Sequence, residues 1–194
     1  MVQLIKHFDG MLFASLFVNI FYAATYPYIH KEVMLVATDS YIAINQIVNC
    51  MSIIVFSFVW NKFSDRIFKF YVVFCIAEAV LGIGTTAFAI CTNHILAYYL
   101  LDTFVFALIT RNIICGGVKL KAMRYKTEKE REQFDNNDNL MSSLGFLGGS
   151  IIALFLKLDF TTMLCIATFG NMIDNIIYIA IYYKEKGDKQ WVMN

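Results

Sequence analysis

The chain has 194 residues, of which 59% are hydrophobic, 16% aromatic and 16% charged, with a formal net charge of +1 and a mean hydropathy of +0.60. That balance is too apolar for a soluble domain of this length and marks an integral membrane protein, with the lipid bilayer as its first partner and no nucleic acid expected. Barrel strands of about ten strictly alternating residues are not what the apolar runs offer, so the expected class is all-α.

Six charge-sparse runs, 11–29, 41–60, 70–93, 95–118, 140–156 and 160–183, each approach the ~17–25 residues that cross a bilayer as a helix. They predict one six-helix transmembrane domain over residues 1–194. Lys6 and His7 precede the first run as in a signal peptide, but the run is long and no Ala-x-Ala site follows it, so it is expected to remain as the first helix. In that helix Asn19, Tyr22 and Tyr26 fall on one stripe, and Pro27, the sole proline, is expected near the helix end.

The second run holds Asn45, Gln46 and Asn49 and ends in the charged knot Trp-Asn-Lys-Phe-Ser-Asp-Arg-Ile-Phe-Lys, residues 60–69. Asp65 and Arg66 side by side can pair with each other and with the helix dipoles around them, which predicts a turn that fixes the angle between the second and third helices. The third run carries Glu78, whose carboxylate costs ~2.5–3.5 kcal/mol in the membrane unless paired, protonated or wetted. In the fourth, Asp102 and Arg111 are nine residues apart and on opposite sides of a helix, so they cannot pair with each other. Helices three and four run in opposite directions, which makes an interhelical pair between Glu78 and Arg111 the expectation.

Lys119 to Asn137 is a run of mixed charge that reads as a solvated helical loop whose role is to set topology. The fifth run opens with Ser142 and Ser143 and continues through Gly145, Gly148 and Gly149, a small-residue face for close helix packing. The sixth carries Asn171, Asp174 and Asn175 at helical spacing. Basic residues divide unequally. Lys6, Lys62, Arg66, Lys69, Lys119, Lys121, Arg124, Lys126, Lys129, Arg131, Lys184, Lys186 and Lys189 fall on one side of the predicted topology, and only Lys31 and Lys157 on the other. The positive-inside rule then predicts that both termini are cytoplasmic. The five cysteines all lie in or at the edge of apolar runs, with no Cys-x-x-Cys pair and no adjacent histidine, which argues against disulfides and zinc.

Phe63, Ser64, Asp65, Arg66 and Lys69 follow the pattern Gly-x-Leu-Ala-Asp-Arg-x-Gly-Arg-Lys/Arg, and the chain resembles the major facilitator superfamily (MFS) in this loop and in the length and order of its spans. The resemblance implies one six-helix half of such a transporter, its N-terminal half, with a three-plus-three repeat, in the cell membrane. It also implies secondary transport of a small molecule or ion by a homodimer of halves or with a separately encoded partner half. By resemblance Arg111, with Gly116 and Gly117, looks like the family's fourth-helix motif. Asn19, Tyr22 and Arg111 would then face the cavity, and Asn45, Asn49, Gly145 and Gly148 would meet the other half. Candidate substrate or coupling residues are Asn19, Tyr22, Glu78, Asp102, Arg111, Asn171 and Asp174, and the conformational loop is Asp65, Arg66 and Lys69. No cofactor and no catalytic residue is expected, since no nucleotide cradle, metal-ligand helix or nucleophile motif is present. Two other readings stay open, a six-helix substrate-binding or accessory membrane subunit and a truncated, inactive transporter.

Overall fold

A computed structural model describes residues 9–92, 94–97, 101, 103, 109–155 and 158–190, except for the side chains of Asn61, Arg111 and 187–190. The described chain is helical: α1 (Gly10–Val36), α2 (Asp39–Phe68), α3 (Tyr71–Thr92), α4 (Arg111–Arg124), α5 (Glu128–Phe155) and α6 (Phe160–Gln190). Stretches of five of them are long and apolar enough to cross a membrane: Gly10–Val36, Asp39–Trp60, Tyr71–Thr92, Glu128–Phe155 and Phe160–Lys186. Of the predicted fourth span, α4 covers the later part. Most of 98–108, including Asp102, lies outside the described residues.

Local chemistry sets the helix ends. Asp9 accepts a 3.0 Å hydrogen bond from the Met11 amide and starts α1. Thr38 does the same for Tyr41 at the start of α2. Thr127 and Glu130 exchange side-chain and backbone hydrogen bonds of 3.1 and 3.2 Å, a capping box that opens α5. Asp159 accepts from the Thr162 amide and hydroxyl at 2.8 and 2.9 Å ahead of α6.

Several boundaries differ from the sequence expectation: α4 runs on to Arg124, α5 begins at Glu128, and the first two helices are longer. Pro27 lies inside α1, which runs on to Val36. The charged knot is the last part of α2 rather than a turn: non-helical backbone at Phe63 (φ −127°, ψ 19°) kinks the helix, and Asp65 and Arg66 are helical. Only Lys69 and Phe70 form the turn into α3.

Helix α1 packs along α5 and α6, α3 packs along α6, and α4 touches α2, α3 and α6. Two glycines bring α5 onto the α1 backbone. A Cβ on Gly145 would sit 2.5 Å from the Leu16 carbonyl oxygen, and one on Gly149 2.3 Å from that of Ile20. The main apolar core, with Phe68, Tyr71, Cys75, Ile113, Leu120 and Tyr182, lies at one end of the bundle. Large apolar side chains such as Phe58, Leu154 and Phe155 point outward, as lipid-facing residues do.

Candidate functional site: a polar seam between α3 and α6

Helices α3 and α6 run antiparallel, and a row of polar side chains lines their contact. From one end, the Thr86 and Thr168 hydroxyls share a 2.6 Å hydrogen bond, and Gly82 faces the Asn171 amide. Next, Asn175 Nδ2 donates to Glu78 Oε2 at 2.8 Å while also reaching the Asn171 carbonyl oxygen at 3.0 Å. The row closes on the rings of Tyr71 and Tyr182, with centroids 5.6 Å apart. Spacings of seven, four and four on α3 and of three, four and seven on α6 keep these residues on one stripe of each helix.

Glu78 is 4% exposed and Asn175 1%. The second Glu78 oxygen, Oε1, accepts from the hydroxyl of Thr110, which sits in a π-type turn just ahead of α4, a feature often found at functional positions. Hydrogen bonds to a charged group are worth about 1.5–3 kcal/mol each, so two of them offset the roughly 2.5–3.5 kcal/mol that a carboxylate costs at membrane depth. Asp174 follows a different rule. It lies within electrostatic range of Glu78, Cys75 and Tyr71, yet its buried Oδ1 has no hydrogen-bond partner among the described residues. The Asn175 Oδ1 is in the same position.

The structure therefore brings Glu78, Asn171 and Asp174 into one site and adds Asn175 and Thr110. Thr110 carries no sequence signal, because its role depends on a partner 32 residues earlier in the chain. Asn19 and Tyr22 lie elsewhere. Asn19 donates to the Ser15 carbonyl at 2.6 Å and abuts Gly145 in the α1–α5 contact. Tyr22 is 46% exposed, stacked on Tyr26 at 4.7 Å and edge-on to Phe146. The Asp102 residue and the Arg111 side chain lie outside the described residues, and with them the expected Glu78–Arg111 pair.

A second polar cluster closes one end of the bundle. Asp65 does not pair with Arg66; it pairs with Lys119 of α4, which pushes the Asp65 carboxyl below its usual range, chiefly through that hydrogen bond and then through the charge. Lys121 pairs with Asp135 of α5. Arg124 bridges Asp9 at 3.0 Å and Glu185 of α6 at 3.2 Å. The Tyr125 hydroxyl donates to Asp9 as well, and burial, then the bond to Asp9, pushes that phenol upward. Arg66 and Lys69 occupy the last turn and C-cap of α2. The run read as a solvated helical loop is helical over 119–124 and 128–137 and exposed over 126–133. It also carries interhelical ties, beside a cleft of 540 Å³ lined by Asp9, Arg124, Tyr125 and Phe134 among others. Asp9 and Glu185 share one arginine, so the start of α1 and the last turns of α6 meet at the same end.

Among the described residues no cluster of three or more histidine, cysteine or acidic side chains could hold a metal ion. No protein-family description matches this chain, and no curated protein or solved structure is similar to it.

Proposed function

We propose that the chain is a membrane transport protein of MFS type, one six-helix half that moves a small solute across the cell membrane. A second copy or a separately encoded half would complete the pathway. The observation that carries this reading is the seam itself. Glu78 and Asn175 meet between α3 and α6 within candidate spans, with Asn171 and Asp174 beside them, and an intramembrane ionisable group is by default a pointer to an ion or substrate route. The resemblance of Asp65, Arg66 and their neighbours to the family loop adds to it. Of the residues the resemblance assigns to a contact with the second half, Gly145 is taken up by α1 and Asn45 is 5% exposed, which leaves Asn49 and Gly148 for that role.

The test is uptake by the full chain in liposomes carrying an inward proton gradient, with solutes first chosen by thermal stabilisation of the purified protein. Accumulation that Glu78→Gln abolishes supports transport. Stabilising solutes that are never accumulated by the chain, alone or with its co-encoded neighbour, would refute it in favour of a binding subunit.

A further inference from the structure

The seam holds two carboxylates, and their surroundings are unequal. Glu78 has a donor on each oxygen, Thr110 on Oε1 and Asn175 on Oε2. Asp174 Oδ1 has none among the described residues, although Asp174 is adjacent in sequence to the asparagine that binds Glu78. No lysine or arginine is paired with either carboxylate among the described residues. The titratable side chains in range of the pair are Tyr71 and Cys75 of α3 and Tyr178 of α6. Asp138 of α5, which accepts from Ser15 of α1, is in range of Tyr178. All of these are neutral or negative, so nothing described balances a second negative charge.

From this asymmetry we infer that Glu78 and Asp174 form one proton-binding dyad, in which Glu78 is the ionised member and Asp174 carries the proton. Two like charges in one low-dielectric site cannot both persist, so one member takes a proton. The donors decide which. A carboxylate that already accepts two hydrogen bonds keeps its charge, and a carboxyl with an orphaned oxygen is the one that is neutral. An ion of the calcium type would want about six oxygen ligands, whereas both Glu78 oxygens are already engaged by protein donors. A proton needs a single lone pair. Asn175 links the two members: 1% exposed, it holds Glu78 through Nδ2 and leaves Oδ1 without a donor in the same seam. Tyr71, 1% exposed, extends the row toward the end of the bundle where the ion pairs lie. Protons would therefore enter and leave along the α3–α6 seam and not along the α1 face that carries Asn19 and Tyr22. As the identity of a coupling ion this rests on the transport reading, but proton occupancy is measured without transport.

The experiment is infrared spectroscopy of the full chain in liposomes at neutral pH, reading the protonated-carboxyl C=O band and its shift in D2O. Wild type should show the band, Asp174→Asn should lose it, and Glu78→Gln, which removes the neighbouring charge, should weaken it; a band of unchanged strength in Glu78→Gln would overturn the shared site. Absence of the band in wild type, as when a cation balances both charges, overturns the dyad, and so does a band that survives Asp174→Asn. If Asp174→Asn does not fold, Asp174→Glu keeps an acid in place and should move the band frequency. A band that does not move belongs to another residue and overturns the assignment. Loss of uptake with the band pattern intact would count against the transport reading alone.

Discussion

Adding one methyl group at Gly149 should be felt more than almost any other change of that size in the bundle. Its Cβ would lie 2.3 Å from the Ile20 carbonyl oxygen, 2.8 Å from the Ala23 Cβ and 3.1 Å from the Ala24 amide nitrogen. These are backbone atoms or atoms fixed to it, so no rotamer change relieves the clash. Helix α5 would have to retreat from α1 by roughly 1 Å to restore the ~3.5 Å at which carbon atoms pack. Overpacking of this kind costs about 1–3 kcal/mol, and at about 2–4 °C per kcal/mol for a chain of this size Gly149→Ala should lower the melting temperature by roughly 2–12 °C. Gly148 is the internal control, since its Cβ would meet only the Ile20 Cγ1 at 3.8 Å, an ordinary contact. Thermal denaturation in detergent, followed by fluorescence-detected gel filtration, compares the two. Equal melting temperatures for the two variants would mean that α5 does not lie on α1 through this glycine.

Arg124→Gln leaves Asp9 and Glu185 facing each other without their shared cation, and removing one partner of such a group costs about 3 kcal/mol. A melting temperature equal to wild type would exclude the bridge. The Asp65 carboxyl is held below its usual range by Lys119, so its contribution is present above the unfolded value and fades as pH falls through the folded one. Acid titration of wild type against Asp65→Asn should show stability curves converging at low pH, and curves that stay parallel into the acid range would exclude the pair. Asp159 behaves alike, since hydrogen bonds from Thr162, first its amide and then its hydroxyl, lower its carboxyl. Asp159→Ala should speed hydrogen exchange in the first turn of α6 at neutral pH, an effect that acid removes. A reporter fused after Asn194 is expected to be cytoplasmic from the distribution of basic residues over six predicted spans, and a signal from the opposite side would overturn that topology.

The helical class was legible in the length and non-alternating pattern of the apolar runs, and most of the seam in the cost of placing Glu78, Asp174 and Asn175 within them. Nothing local identifies Thr110 as the second donor, because a threonine in a span usually bonds its own helix, as Thr25 does with the Phe21 carbonyl at 2.7 Å. The Thr127-x-x-Glu130 spacing is a readable start signal for α5, and the surrounding charges fit the solvated helical run they suggested without naming its partners. Charges read singly say little about partners, and Lys119, Lys121 and Arg124 find theirs on other helices. Asn19 sat on a plausible stripe, but the close approach at Gly145 turned that stripe toward α5. Periodicity locates a face and leaves open which neighbour covers it.

The three cations at the end of α4 act like a knot that gathers strands at one point. Lys119 reaches α2, Lys121 reaches α5, and Arg124 reaches α6 and the residue that starts α1. Toward the far end, neutral hydrogen bonds tie helices together among the described residues, such as the Tyr28 hydroxyl to the Ala153 carbonyl and Thr86 to Thr168. A bundle bound in this way has uneven stiffness: thermal bending grows with distance from the knot, and its helices part first at their free ends, as the tines of a fork spread while its handle stays still.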